Sequence, residues 1–140
     1  MKGYKFLQHT ADVMFEGYGK TLEEAFGSAA LAMFNLLTDI EKVKAAKKYK
    51  LGIIADTKEK LLFDFLDELL FYLDTEHIIF SKFEDMKIAK KNNLYFFECT
   101  ALGDLASNYR THGDVKAPTY NEMLIKEEKG KFSVRVVVDI

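Results

Sequence analysis

The chain is predicted to be α+β, with two strand-helix-strand-strand units, one inserted into the other, and helices packed on mostly antiparallel sheets. Three observations lead there. Two segments carry apolar residues at helical spacing behind a start signal, and others read as short strands between turn signals. The order strand, helix, strand, strand, read over roughly residues 48–102, returns in the flanking pieces once that middle segment is lifted out. A single domain over residues 1–140 is long enough to bury one core of ordinary size.

Residues 4–7 and 13–18 read as the first two strands. They are separated by His9, Thr10, Ala11 and Asp12, none of them the Gly, Asn or Pro that a turn favours. The first helix starts at Thr21, and Leu22, Ala25, Phe26, Ala29, Ala30, Met33, Phe34 and Leu37 form its apolar face. Thr21 and Glu24 have capping-box spacing, which predicts a hydroxyl accepting from the Glu24 amide and a carboxylate reaching back to the Thr21 amide. Residues 48–55 follow as a strand. A second helix is predicted from Asp56 with Glu59 as its start signal, and Leu62, Phe65, Leu66, Leu69, Leu70 and Leu73 supply its stripe.

Residues 77–90 and 93–102 form a predicted hairpin through Lys91, Asn92 and Asn93. Residues 114–128 and 131–140 form another through Lys129 and Gly130. Pro118 cannot donate to a ladder, so its strand belongs at a sheet edge or carries a bulge. In the last strand Phe132, Val134, Val136, Val138 and Ile140 alternate with Ser133, Arg135, Val137 and Asp139, which points Asp139 away from the main core face.

Net charge is −2, from 20 basic and 22 acidic side chains, so no global positive field draws the chain onto nucleic acid. Any RNA connection is expected to be indirect or local. The single Cys99 excludes a disulfide framework and a Cys-based zinc site. No apolar run suits a signal peptide or a membrane span, so a cytoplasmic protein with no membrane partner is expected. Serine elbows, Gly-rich phosphate loops and zinc-protease helices are absent.

Nesting would bring the first strands beside the last, and Asp12 could then meet Asp139 and the terminal carboxylate of Ile140. Such a cluster of oxygens suits calcium, or manganese or magnesium, better than structural zinc. The plainer reading of the spacing is a turn-capping Asp12 and a frayed end. His9 is hydrogen-bonded to backbone near the turn, a direct ligand of the ion, or a support behind it. His77 reads as a helix-end residue. The aperiodic stretch holding Asp104, Tyr109, Arg110, His112, Asp114 and Lys116 reads equally as a binding loop or a solvated connection. The acidic helix face of Asp64, Asp67, Glu68, Asp74 and Glu76 is solubilising or docks a basic partner.

Five ordered blocks carry a resemblance over nearly the whole chain: "HTADV" at 9–13, "YGKTLEEAF" at 18–26 with "TD" at 38–39, "LLFDFLDELLFYLDTEHIIF" at 61–80, "VKAPTY" at 115–120 and the ending "VRVVVDI". The sequence resembles the archease family. The resemblance implies tandem strand-helix-strand-strand units and an accessory role without turnover of its own. The implied partner is the GTP- and manganese-dependent RNA ligase that joins 3′-phosphate or 2′,3′-cyclic phosphate ends to 5′-hydroxyl ends in tRNA splicing and RNA repair. The expected action is to promote ligase guanylylation and repeated turnover, with RNA met only indirectly.

The resemblance places a metal site at Asp12, Asp139 and Ile140, holding a divalent ion with calcium favoured, and a partner contact at Lys116. It reverses the odds on Asp12 in favour of a ligand, with His9 in support. Asn121 stands where the family commonly has His and cannot accept a proton at neutral pH as His can. Two other function classes remain: a stand-alone metal-dependent hydrolase or transferase, and a chaperone-like binding module.

Overall fold

The structure, a computed structural model, describes residues 2–7 and 12–140. In chain order it runs β1 (Gly3–Leu7), β2 (Val13–Gly19), α1 (Leu22–Asn35), β3 (Lys47–Ala55), α2 (Lys58–Glu76), β4 (Ile78–Lys91), β5 (Leu94–Leu105), β6 (Ala117–Glu128) and β7 (Lys131–Asp139). The strands form an antiparallel four-stranded sheet in the order β1-β2-β7-β6 and an antiparallel three-stranded sheet in the order β3-β5-β4. The fold is α+β. In sequence the smaller sheet lies wholly between α1 and β6. The Ala46 amide donates to the Gly103 carbonyl at 3.0 Å, so the chain enters and leaves that sheet at one place.

Each helix touches both sheets. α1 packs on β1, β2 and β7 and also against β4, while α2 packs on β6 and against β3, β4 and β5. At the centre the Phe65 ring of α2 meets Phe97 of β5 at 4.7 Å and stacks on Phe26 of α1 at 6.2 Å. All three rings are buried, and burying a Phe side chain contributes about 1.5–3 kcal/mol. Apolar residues on one face of each element thus share a single core, which gives the nested order a physical reason.

Local details refine the sequence reading. At α1 the Thr21 hydroxyl accepts from the Glu24 amide at 3.1 Å, as expected. The Glu24 carboxylate instead accepts from the Lys20 amide at 3.3 Å, one residue before the predicted donor. The start of α2 also shifts: Thr57, not Asp56, takes the extended cap conformation and accepts from the Lys60 amide at 3.0 Å. Asp56 lies one residue too early for that geometry. His77 ends α2 in the left-handed region, with φ 58°, and its amide donates to the Leu73 carbonyl.

Asn92 and Asn93 both have positive φ, as a two-residue type I′ turn requires, and so do Lys129 and Gly130. Pro118 does lie on an edge strand, and the β6 register breaks between Thr119 and Leu124. Val137 differs from the alternation argument. It is fully buried on the face expected to be wet, and its cross-strand neighbour Met14 is buried too. None of the described helices is long and apolar enough to cross a membrane.

Candidate functional site

The four-stranded sheet gathers the predicted site residues by register. Val13 of β2 pairs with Val138 of β7, so Asp12, just before Val13, and Asp139, just after Val138, lie at the same end of the sheet. On the other flank Ala117 of β6 pairs with Asp139, and the Lys116 amide donates to the Asp139 carbonyl at 2.8 Å. Asp12 and Lys116 therefore flank Asp139 at one end of the sheet, with Ile140 next along the chain. Asp12 is half-buried, whereas Asp139, Lys116 and Ile140 are exposed. His9, together with Thr10 and Ala11 of the same block, lies outside the described residues.

The donor chemistry of this tip is all oxygen. Among the described residues no group of three or more His, Cys, Asp or Glu side chains stands close enough to hold an ion. Two carboxylate side chains would therefore need a further oxygen from Ile140, another backbone carbonyl or water. Such a set fits a hard divalent cation of flexible geometry. It does not fit a thiolate metal: Cys99 is buried in β5, in the other sheet.

The aperiodic stretch after β5 is largely tied to the fold. The Tyr109 hydroxyl donates to Asp104 Oδ2 at 2.6 Å and accepts from the Lys44 amide at 2.8 Å, while the Leu105 amide donates to Asp104 Oδ1. These bonds, the Tyr109 hydroxyl first, hold the Asp104 carboxyl below its ordinary range. Burial, and then the Asp104 carboxylate, raise the Tyr109 phenol. Farther on, Thr38 Oγ1 donates to the Arg110 carbonyl at 2.8 Å and the His112 amide donates to the Leu37 carbonyl at 2.7 Å. The connection is thus clipped to the end of α1 before it reaches Lys116.

The structure therefore sets Asp104 and Tyr109 apart from the tip, in a structural network. Thr38 belongs to that network too, and its signal in the sequence was the short "TD" block. Asn121 sits in the irregular part of β6, exposed, with its amide donating to Thr119 Oγ1 at 3.3 Å. Thr119 Oγ1 donates in turn to the Val137 carbonyl at 2.8 Å, which fixes β6 just inside the tip. The Tyr120 ring of the same block stacks on Phe63 of α2, 4.3 Å between centroids and 9° from parallel.

Comparison with known proteins gives the chain a family. A family model described as the Archease protein family matches residues 4–140. The chain belongs to the archease family. Protein archease of Methanothermobacter thermautotrophicus is 43% identical over 141 residues, with all of both chains covered. Protein archease of Sulfolobus acidocaldarius is 37% identical, again over all of both chains. Among solved structures, the solution structure of Methanobacterium thermoautotrophicum protein 1598 superposes with a TM-score of 0.86 at 42% identity over the whole of both chains. The crystal structure of an archease from Thermotoga maritima, described there as a possible chaperone, gives a TM-score of 0.58 at 19% identity over 97% of this chain and 96% of that one. At that identity the likeness concerns the archease fold alone.

Proposed function

We propose that the protein is an accessory activator of a GTP- and manganese-dependent RNA ligase that joins 3′-phosphate or 2′,3′-cyclic phosphate ends to 5′-hydroxyl ends. It promotes ligase guanylylation and multiple turnover and forms no phosphodiester bond itself. The observation that carries this reading is the register that sets Asp12, Asp139 and Lys116 at one end of the four-stranded sheet, in a chain of the archease family.

In this reading Asp12, Asp139 and Ile140 hold a divalent cation, calcium before manganese or magnesium. The ion supplies positive charge where a nucleotide triphosphate or a ligase side chain must be oriented. Asp12 holds its carboxylate in a half-buried position beside the exposed Asp139, and the Lys116 ammonium meets the ligase or its bound phosphate.

The test is a ligase guanylylation and multiple-turnover assay with and without the protein, repeated with Asp12→Ala and Asp139→Ala. Both variants should keep the wild-type melting temperature, lose calcium binding by calorimetry and lose stimulation. Full stimulation by both variants would sink the metal-tip reading. Turnover of phosphate esters by the protein alone would favour a stand-alone enzyme. Broad suppression of aggregation, indifferent to both Asp residues, would favour a chaperone-like module.

A further inference from the structure

The four-stranded sheet turns one face to the helices; the other buries Met14 and Val137 towards the tip and is open at the end that carries Lys5, Lys126 and Lys131. Cross-strand pairing sets Lys5 of β1, Glu16 of β2, Arg135 of β7 and Leu124 of β6 in one row across that open face. The next row is Gly3, Tyr18, Ser133 and Lys126, and beyond it Lys131 pairs with Glu128. Ser133 is small, and around it Lys5, Glu16, Arg135, Leu124, Lys126 and Lys131 border a shallow depression of about 550 Å³, with Tyr18 in the next strand beside Ser133.

The charge of this depression opposes that of the whole chain. Five cations line it, namely Lys5, Lys126, Lys129, Lys131 and Arg135, against the two carboxylates of Glu16 and Glu128. That is a local excess of three positive charges on a protein of net charge −2. Both carboxylates are already engaged: Glu16 with Lys5 at 3.7 Å and Arg135 at 3.4 Å, and Glu128 with Lys126 at 3.0 Å. Lys129 and Lys131 have no carboxylate partner among the described residues.

Arg135 is short of acceptors. Among the described residues its one side-chain bond is the 3.4 Å contact from Nη2 to Glu16, and its buried Nε has no acceptor. A guanidinium presents five donors in a planar fork that matches phosphate oxygens. Beside it the Tyr18 ring lies over Gly3, where a Cβ would meet the Tyr18 hydroxyl at 2.7 Å. Lys131 Nζ stands 4.6 Å from the centre of the same ring.

We propose that this open sheet face binds single-stranded nucleic acid through its phosphate backbone. Lysines and Arg135 track the phosphates, and the Tyr18 ring offers a base a stacking surface once the exposed Lys131 side chain swings to a phosphate. An acidic peptide would use the cations but leave the ring idle. Asp139 shares this face of β7 with Arg135, about 13 Å farther along the strand, but the buried Val137 lies between them, so the site is separate from the tip. The inference does not rest on the ligase reading, because binding to this face needs no ligase.

The test uses the protein alone with a labelled oligouridylate or oligothymidylate of about a dozen nucleotides, read by fluorescence anisotropy across a salt series. Wild type should bind at low salt with an affinity that falls as salt rises. Lys126→Ala with Lys131→Ala should keep the wild-type melting curve, bind at least about tenfold more weakly and flatten the log–log salt slope by about 1.4, two contacts at about 0.7 each. Lys50→Ala with Lys87→Ala, on the other sheet, should bind as wild type. Binding of either oligomer with this pattern supports the proposal, and a preference for the ribose strand would add a 2′-hydroxyl contact. No binding at low salt, equal loss in the Lys50 and Lys87 variant, or competition by oligoglutamate at equal concentration would overturn it.

Discussion

The Lys116 amide donates to the Asp139 carbonyl at 2.8 Å, so the two residues are tied through their backbones while both side chains stay exposed. This separates what Lys116 does for the tip from what its ammonium does for a partner. Lys116→Met keeps the backbone bond and should leave melting temperature and calcium binding unchanged. In the ligase assay it should reduce stimulation about ten- to a hundredfold, the loss of one charge-assisted contact of about 1.5–3 kcal/mol. Lys116→Pro removes the amide donor and should weaken calcium binding itself, measured by calorimetry.

At Gly17 the α1 backbone comes close to the four-stranded sheet. A Cβ there would meet the Ala25 carbonyl at 2.7 Å and the Ala29 backbone, and helix backbone cannot swing aside as a side chain can. Gly17→Ala should destabilise the fold by about 1–3 kcal/mol. Urea unfolding should show a lower midpoint with an unchanged slope. An unchanged midpoint would mean that α1 can shift on the sheet without penalty.

Asp104 and Tyr109 make stability depend on pH in a defined direction. Hydrogen bonds, the Tyr109 hydroxyl first, depress the Asp104 pKa in the folded state. A depressed carboxyl stabilises above its unfolded value of about 3.9 and loses that stabilisation as pH falls through the folded value. Tyr109→Phe removes the donor and should lower the melting temperature by roughly 3–6 °C at neutral pH. The gap between variant and wild type should narrow on acidification from about pH 6 to pH 3, as scanning calorimetry can follow.

Cys99 should be chemically silent in the native protein. Burial in β5 pushes its thiol up to about 12, leaving almost no thiolate at neutral pH. Iodoacetamide at about pH 8 should fail to label the folded chain and should label it fully in denaturant. Rapid native labelling would show that β5 opens locally far more often than its burial suggests.

Local signals carried most of the secondary structure. Thr21 and the spacing from Leu22 onward marked α1, and the paired turn residues Asn92 with Asn93 and Lys129 with Gly130 marked both hairpins, because caps and turns are decided by neighbouring residues. The choice of Thr57 over Asp56 was not legible. Two adjacent residues can each accept from a helix amide, and the path of the chain out of β3 decides between them. Pro118 announced an edge or a bulge in β6, but the length of the irregularity between Thr119 and Leu124 was not legible, since no Gly stands there. The convergence of Asp12 and Asp139 could be read only through the nested order, as their separation in sequence conceals it. Lys5, Lys126, Lys131 and Arg135 come from three strands, and pairing register alone makes them neighbours.

The entry and exit of the smaller sheet at Ala46 and Gly103 have a consequence for how the chain is made. During synthesis β3, α2, β4 and β5 leave the ribosome as a complete, locally paired unit before β6 and β7 exist. By contrast, β2 must wait for β7: Glu16 and Arg135, hydrogen-bonded in the finished sheet, are 119 residues apart. The acidic tip is consequently among the last features to form. A molecule that displays it has already closed its outer sheet, so a partner that recognises the tip selects finished copies over nascent ones.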